Sequence, residues 1–272
     1  MNDLIYQYWD GNVRPSARAG VEAMRKYAET IGVKYIFEEN PQFLRKHFGY
    51  DFGGYTPHYG AFKPIWDESF DQYDNILFCD TDVFPIDGLE TNIFAEFIGE
   101  IGICNEPFQP KQRTITKGRI TSQQDEKWAK MVKDVWNTEV PRTEEGLVEI
   151  FNTGMVLYTR GARMKARKLF TDPKKYVSVV RSRGLDSFYT CDQPYLHAQM
   201  FIHKFLVQRM DNGWNSYIHH TRDIHHTDRY LCDWRDGNTK FVHVQFAGAD
   251  NYGEKEHWEF VNLPQEQWST KV

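Results

Sequence analysis

Two aspartates separated by one residue follow the most apolar short segment in the first half of the chain. Asn75 to Cys79 is expected to be a buried strand, and Asp80 and Asp82 come directly after it. At this spacing both carboxylates project on the same side of a strand end. Hard oxygen ligands placed in this way suit Mg²⁺ or Mn²⁺, with phosphate oxygens and water as the remaining ligands. A solvated turn is the alternative, because aspartate is common in turns and caps.

The segments around this pair predict alternating strands and helices. A strand over 4–9, a helix that begins at Pro15 and ends at Gly32, and a strand over 33–37 form a βαβ unit, which requires a parallel sheet. In such sheets ligands bind at the carboxyl ends of the strands, where the aspartate pair falls. Residues 107–122 are expected to form a polar, mobile loop. Further strands are predicted at 75–79, 101–104, 149–158, 205–208 and 241–246, and further helices near 62–70, 128–135, 162–170 and 191–200.

The composition predicts one folded, soluble α/β domain. The chain has 272 residues, of which 40% are hydrophobic and 26% charged, and we see no linker that divides it. The net charge of −5 argues against broad nucleic-acid binding, which needs a basic surface, but leaves a local basic groove open. Without a signal-like N-terminus or a long apolar run, we expect a cytoplasmic protein with no membrane span. Its scattered cysteines are expected to be reduced thiols: Cys79, Cys104, Cys191 and Cys232.

Four segments carry a resemblance to a known family. Tyr73 to Val83 resembles the DxD block of GT-A glycosyltransferases, most of all the glycogenin-like family 8 and its neighbours. Three later segments resemble motifs of that family in the family's order. They are Phe151–Tyr158 (the FNSG strand), Cys191–Leu196 (the DQD helix start) and Val242–Gly248 (the late strand with a histidine). Each motif is degenerate alone, but together they cover nearly the whole chain.

The resemblance implies a GT-A fold and a metal-dependent enzyme that transfers a sugar from a nucleoside-diphosphate sugar, most commonly a UDP-sugar. The acceptor would be a hydroxyl of a glycan or of a modified nucleobase. Asp80, Asp82 and His243 would hold Mn²⁺ or Mg²⁺, and the catalytic pair Asp192 and Gln193 would lie against the sugar. The chain would be a single domain, with residues 1–105 as the nucleotide-binding half and 106–272 as the acceptor-side half with the final metal-ligand strand.

Asp192 has more than one interpretation. In an inverting enzyme its carboxylate could take the proton of the acceptor hydroxyl as general base. In a retaining enzyme Asp192 and Gln193 would stabilise an oxocarbenium-like state instead. A third interpretation is that Asp192 only caps the helix that begins there. The sequence leaves these alternatives open.

Further side chains are expected around the donor. Lys63 and Lys240 are candidates for the positive charge that a departing diphosphate requires, or else are surface charges. They matter because Ala249 to Tyr252 replaces the Lys-Pro-Trp in which the family keeps its diphosphate-binding lysine. Tyr8 and Trp9, at the end of the first strand, could stack on the base or pack in the core. The matched motifs add Thr81, Asn152, Gly154 and Gly248 on the donor side, and Trp214 and His226 are weak acceptor-side candidates.

Other interpretations remain open at this stage. A haloacid-dehalogenase-type phosphatase would use Asp80 as nucleophile and Asp82 as acid and base. Two predicted strands precede this pair, and no late paired-aspartate motif follows, which counts against that class. A non-catalytic module that binds nucleotide sugars is the second alternative. Two further groups could bind a second metal or nucleic acid but are expected to be a polar loop and a solvated helix face: the histidines 219, 220, 225 and 226, and the basic residues 160–168.

Overall fold

The computed structural model describes residues 1–106, 108–115, 118–222, 229–245 and 261, with the backbone alone for 219–222 and 229–233. The strands in these ranges are β1 (Leu4–Trp9), β2 (Lys34–Glu39), β3 (Asn75–Cys79), β4 (Val83–Pro85), β5 (Ile101–Asn105), β6 (Phe151–Thr159), β7 (Val207–Arg209), β8 (Ser216–Arg222), β9 (Arg229–Asp233) and β10 (Phe241–Gln245). The α-helices are α1 (Pro15–Thr30), α2 (Lys63–Trp66), α3 (Lys111–Ile115), α4 (Ser122–Trp136), α5 (Arg160–Leu169), α6 (Pro173–Ser182) and α7 (Asp192–Ile202).

Short helical turns fill several connections. One π-helical turn spans Leu44–Phe48. The 3₁₀ turns are Gly53–Tyr55, Pro57–Phe62, Glu68–Gln72, Ile93–Glu96, Ser187–Thr190 and Asn212–Asn215. None of the helices in the described ranges is long and apolar enough to cross a membrane.

The main sheet has six strands in the order β2-β1-β3-β6-β5-β7. β1 is parallel to β2 and to β3, and β5 is parallel to β7. β6 is antiparallel to both of its neighbours, β3 and β5. The predicted βαβ unit is therefore confirmed, and so is the α/β class with a mostly parallel sheet. The proposed division into two halves stays a prediction.

The reversed strand β6 brings its first residues to the carboxyl ends of its neighbours. Met155 is the register partner of Cys79, the last residue of β3, and Phe151 is the partner of Asn105, the last residue of β5. Immediately beyond β3, the backbone N–H of Asp80 donates to the carbonyl of Gly154 at 2.8 Å. The polar start of β6 therefore lies beside the aspartate pair.

A second sheet of four strands, in the order β4-β10-β8-β9, adjoins this edge. β4 begins one residue after Asp82, and its Val83 is the register partner of His243 on β10. The N–H of Val244 donates to the carbonyl of Asp82 at 2.9 Å. The sequence predicted β10 but not β4, β8 or β9. The stretch predicted as a polar loop near 219–220 lies within strand β8.

Helix α1 packs tightly against the loop that carries the aspartates. One side of the helix is apolar and is buried at Ala17, Val21, Met24 and Ala28. A Cβ at Gly20 would lie 1.8 Å from the carbonyl oxygen of Thr81. Only glycine permits this approach of helix to loop.

The predicted mobile loop over 107–122 is partly wrong. Helix α3 lies within it, and Arg113 on that helix is buried at 5% exposure. Its guanidinium Nη1 donates to Asp125 Oδ1 at 2.7 Å, and Asp125 is itself buried at the start of α4. A buried charge requires a partner of this kind, and this ion pair holds α3 against α4. Helix α6 was also missed; it begins at Pro173, with the carboxylate of Asp172 as its N-terminal cap.

Candidate active site

The structure brings Asp80, Asp82 and His243 together. One ligand atom from each lies within 4.8 Å of the others. The Nε2 atom of His243 is 3.3 Å from Asp82 Oδ1. The residues come from the end of β3, the residue before β4, and β10, so the meeting of the two sheets creates the cluster. We call these three residues the Asp-Asp-His cluster.

The electrostatics of the cluster favour a bound cation. Burial raises the pKa of Asp80 well above its usual range, and Asp82 and Asp192 raise it further, whereas His243 lowers it. Burial by itself would lower the pKa of His243, but the carboxylates of Asp82 and Asp80 outweigh that effect and raise it. Negative charge therefore accumulates here, and a positive group beside it is favourable.

The donor set of the cluster fits Mn²⁺ or Mg²⁺. Two carboxylates offer hard oxygen ligands and an imidazole offers a nitrogen, which leaves room for water or phosphate oxygens. The backbone of the first ligand is also fixed: buried Gln7 donates from Nε2 to the carbonyl of Asp80 at 2.9 Å. The sequence analysis did not single out Gln7.

The His243 ring lies between Gly154 and Tyr217 and is 1% exposed. The ring of Tyr217 stacks on it with centroids 4.7 Å apart. A Cβ at Gly154 would be 2.4 Å from His243 Cε1. The glycine expected on the donor side therefore makes space for the imidazole.

A chain of buried side-chain amides continues from the cluster. His243 Nδ1 lies 3.1 Å from Asn215 Oδ1. Asn215 donates from Nδ2 to Asn152 Oδ1 at 3.0 Å, and Asn152 donates from Nδ2 to Glu106 Oε1 at 3.2 Å. Gln193 donates to the same oxygen of Glu106 at 3.3 Å. Asn152 and Gln193, two predicted site residues, therefore share one carboxylate.

Asp192 is the first residue of α7, and the residue in the N-cap position is Cys191. The Asp192 carboxylate is 7% exposed and accepts from Thr153 Oγ1 at 2.5 Å. His58 Nδ1 lies 3.7 Å from its other oxygen. The carboxylate is therefore held by a strand and a neighbouring turn, close enough to Asp80 for its charge to raise the pKa of Asp80. This arrangement favours a role beyond that of a helix cap.

The predicted base-stacking aromatics have partners within the chain. Tyr8 donates its hydroxyl to the carbonyl of Pro57 at 2.6 Å, and its ring stacks on Phe78 at 5.8 Å. Trp9 donates from Nε1 to the carbonyl of Asn12 at 2.8 Å. Both rings keep a partly exposed surface, whereas Thr81 is buried at 5% exposure.

The two predicted lysines are paired with other carboxylates. Lys63 Nζ lies 2.5 Å from Glu38 Oε1 and 3.8 Å from Asp67, at a cavity of about 630 Å³. Lys240 Nζ lies 3.7 Å from Asp211 and 5.0 Å from the centre of the Trp214 ring. Neither of these pairings involves the Asp-Asp-His cluster, so the diphosphate-binding cation stays unassigned.

The weak acceptor-side candidates gain no support. Trp214 is completely buried and donates from Nε1 to Glu96 at 2.7 Å, so its indole leaves no surface for an acceptor. Trp214 is a core residue because it packs edge-on against Phe241. His226 and Gly248 lie outside the described residues, as do His225 and the side chains of His219 and His220.

Sequence reasoning missed several polar residues of the site. Glu106 directly follows strand β5, at the same sheet edge as Asp80, and this position was a usable signal. Thr153 lies within the Phe151–Tyr158 motif, and Asn215 directly follows the candidate Trp214. His58 had no signal, because its approach to Asp192 depends on how the turn Pro57–Phe62 packs against α7.

Comparisons with known proteins give structural likenesses alone. No model of a known family matches the chain, and no curated protein matches it. A glycosyltransferase involved in glycosylation of the major capsid of PBCV-1 is 13% identical, with a TM-score of 0.49 over 95% of this chain and 98% of that one. Mouse xyloside xylosyltransferase 1 is 17% identical, with a TM-score of 0.48 over 92% and 99%. The galactosyltransferase LgtC, in complex with donor and acceptor sugar analogues, is 14% identical, with a TM-score of 0.47 over 97% and 98%.

Proposed function

We propose that this chain is a metal-dependent glycosyltransferase of the GT-A type that uses a nucleoside-diphosphate sugar. The observation that carries the proposal is the convergence of Asp80, Asp82 and His243 from separate strands. Asp82 and His243 are 161 residues apart in the sequence. A turn of solvated aspartates, the alternative for the pair, would not require a buried imidazole beside it.

The chemistry follows from charge. When the glycosidic bond to the diphosphate breaks, negative charge develops on the leaving phosphate oxygens. A divalent cation, when bound, neutralises that charge without any proton transfer. The chain supplies its ligands, Asp80, Asp82 and His243, and excludes bulk water from the imidazole side, because Tyr217 and Gly154 enclose that ring.

Asp192 and Gln193 act on the sugar side. Thr153 holds the Asp192 carboxylate, and Glu106 holds the Gln193 amide, so both side chains are pre-oriented. If the product has inverted configuration, Asp192 is the base that takes the acceptor proton. If configuration is retained, its charge stabilises the positive sugar ring. The configuration of the product at its anomeric carbon decides between these roles.

A UDP-sugar is the proposed donor and a hydroxyl of a glycan the proposed acceptor. A nucleic-acid acceptor is disfavoured, because the basic residues of α5 are engaged within the chain. Arg163 is fully buried and donates to the carbonyls of Tyr158, Phe70 and Tyr73. Arg160 and Arg167 pair with Asp74 and Asp71. The basic face predicted to be solvated is therefore partly structural.

The phosphatase and the non-catalytic module have no observation in their particular favour. A phosphatase of the proposed type needs Asp80 as nucleophile but has no need of an imidazole ligand from a second sheet. A binding module need not hold Asp192 and Gln193 in the same arrangement. Phosphate release would distinguish the phosphatase, and binding without hydrolysis or transfer would distinguish the module.

The test is a thermal-shift screen of nucleotide sugars with and without Mn²⁺, followed by an assay of donor hydrolysis. A donor at a hundred times its Kd stabilises the folded chain by about 2.7 kcal/mol. We expect one nucleotide sugar to raise Tm in Mn²⁺ but not in EDTA, and to be hydrolysed slowly. Binding without hydrolysis or transfer would favour the module. Release of phosphate from small phosphomonoesters, with no response to any nucleotide sugar, would favour the phosphatase.

A further inference from the structure

We propose that Asn215 is a positioning residue that fixes His243 in the tautomer with hydrogen on Nδ1, which leaves Nε2 free to bind the cation. The inference rests on the proposed metal site for its consequence, but the tautomer itself follows from hydrogen bonds within the chain. Two groups whose donor and acceptor character cannot change determine the direction of these bonds.

The first step concerns the orientation of the Asn152 amide. The backbone N–H of Gly154 donates to Asn152 Oδ1 at 2.8 Å. On the other side, Asn152 Nδ2 lies 3.2 Å from Glu106 Oε1, and the second oxygen of Glu106 lies 3.7 Å from Arg113. A backbone N–H can only donate, and an ion-paired carboxylate can only accept. Asn152 must therefore present its oxygen to Gly154 and its NH₂ group to Glu106.

In the second step, the orientation of the Asn152 amide determines that of Asn215, and this determines which nitrogen of the His243 imidazole carries hydrogen. Because Asn152 Oδ1 accepts, the Asn215 atom 3.0 Å away must be its NH₂ nitrogen. The Asn215 oxygen then faces His243 Nδ1 at 3.1 Å. An amide oxygen has no hydrogen to donate, so Nδ1 of His243 must carry one. In the neutral ring the lone pair is consequently on Nε2, the atom that lies 3.3 Å from Asp82.

Burial makes the alternative costly. Asn215 is 0% exposed, Asn152 3% and His243 1%. Water cannot replace a lost partner here, so reversing one amide would place two acceptors or two donors against each other without compensation. Gln245 fits the same assignment, because its Nε2 lies 3.1 Å from His243 Nε2 and can donate to that lone pair.

The consequence is for metal affinity. A residue that hydrogen-bonds the second ring nitrogen of a metal-bound histidine typically raises metal affinity by roughly 10–100-fold. Asn215 is in the position to do so, and its partner Asn152 connects it to the strand that also carries Gly154. Asn215 is none of the three residues of the Asp-Asp-His cluster, so it can be substituted without removing a proposed ligand.

The experiment has two readouts on the full chain. Long-range ¹⁵N–¹H NMR of histidine-labelled, metal-free protein, recorded with rising pH until His243 is neutral, reports which ring nitrogen carries hydrogen. Electron paramagnetic resonance of Mn²⁺ alone reports metal affinity. The variants are Asn215→Leu, which removes the acceptor, and Asn215→Asp, which keeps an oxygen opposite Nδ1. Glu149→Gln is the control, since it alters a buried carboxylate that bonds Asn105 and Arg209 rather than this chain of amides.

We expect hydrogen on Nδ1 in the wild type and in Asn215→Asp, and a mixture of tautomers in Asn215→Leu. The Mn²⁺ Kd should rise about 10–100-fold in Asn215→Leu and change little in Glu149→Gln. Hydrogen on Nε2 in the neutral wild type overturns the inference, and this result needs no variant to fold. Unchanged Mn²⁺ affinity in a folded Asn215→Leu also overturns it. A wild type that binds no Mn²⁺ counts against the proposed function instead, while the NMR readout still decides the tautomer.

Discussion

The pKa values of carboxylates are shifted in opposite directions in two regions of this molecule. Near helix α5, Asp71 accepts two hydrogen bonds from Arg167, at 2.8 and 2.7 Å, and these bonds hold its pKa below the usual range. In the Asp-Asp-His cluster, burial and the neighbouring charge of Asp82 raise the pKa of Asp80 instead. In the first region, an arginine of the same chain neutralises the carboxylate. The second gathers like charges beside the imidazole of His243.

This difference distinguishes a structural ion pair from a candidate binding site. Burying like charges together destabilises a fold, and proteins keep such arrangements where function requires them. Near α5 the arginine is the counter-charge, whereas in the Asp-Asp-His cluster the proposed counter-charge is a divalent cation. The predictions below test whether the two regions differ in this way.

The largest expected effect is the loss of metal-dependent donor binding in Asp82→Ala. Removing a direct metal ligand should lower metal affinity by more than the roughly 10–100-fold that is typical when a residue that orients a ligand is lost. The fold should persist, because Asp82 is 40% exposed and contributes little packing. Calorimetry with UDP in the presence and absence of Mn²⁺ measures the effect. Asp71→Asn is the matched control and should leave binding unchanged; equal UDP affinity in Asp82→Ala and wild type would argue against the cluster.

The next largest effect should be on turnover, in Asp192→Asn. The amide keeps the size of the side chain but can neither take a proton nor stabilise positive charge as a carboxylate does. We expect kcat to fall about 10²–10⁴-fold, with donor affinity nearly kept. Steady-state transfer or donor hydrolysis measures kcat, and calorimetry measures affinity. Turnover at the wild-type rate would reduce Asp192 to a structural residue at the start of α7.

A smaller effect is expected from Gly154→Ala. The added methyl would lie 2.4 Å from His243 Cε1, so the imidazole must shift away from its position beside Asp82. We expect Mn²⁺ affinity to fall about tenfold or more. Gly161→Ala adds the same methyl 4.0 Å from its nearest neighbour, Thr159 Oγ1, and should change nothing in metal binding. Equal Mn²⁺ affinity in the two variants would show that the ring position does not matter.

The smallest effects are on stability, and they should have opposite signs in the two regions. A raised folded-state pKa means that Asp80 contributes stability below its unfolded pKa, which is lost as pH rises through the folded pKa. Asp80→Asn should therefore stabilise the metal-free chain at neutral pH. Asp71, whose pKa is lowered, contributes above its unfolded pKa and loses that contribution as pH falls. Asp71→Asn should destabilise by roughly 0.2–1 kcal/mol.

Urea unfolding in EDTA at pH 4 to 8 measures both changes. With rising pH, the stability difference between Asp80→Asn and the wild type should grow in favour of the variant. Destabilisation by Asp80→Asn at neutral pH would mean that the cluster is already compensated without a cation. The two regions would then not differ as described.

The local elements were largely predictable from the sequence, and so were the three residues of the Asp-Asp-His cluster. β1, α1, β3 and α7 have clear periodicity or capping signals, and Asp80, Asp82 and His243 lie in segments with a recognisable pattern. The second sheet was not predictable in the same way. β4 has only three residues, and its partner β10 is more than 150 residues away, so no local pattern marks their pairing.

The partners of polar side chains were the least predictable feature. Lys63, a candidate for the donor or else a surface charge, is paired with Glu38 on β2. Trp214, a weak acceptor-side candidate, packs in the core beside Phe241. The bond between Asn215 and His243 joins residues of a turn and a strand that meet only after both sheets have formed. The types of side chain at the site could be predicted from the sequence, whereas the partners of these side chains depended on tertiary packing.

The most direct test of the central claim is crystallography with Mn²⁺ and UDP, using the anomalous signal of manganese. We predict one peak within about 2.0–2.3 Å of carboxylate oxygens of Asp80 and Asp82 and of Nε2 of His243, distances typical of such ligands. A manganese peak elsewhere in the molecule, or none at the Asp-Asp-His cluster with UDP bound, would contradict the account.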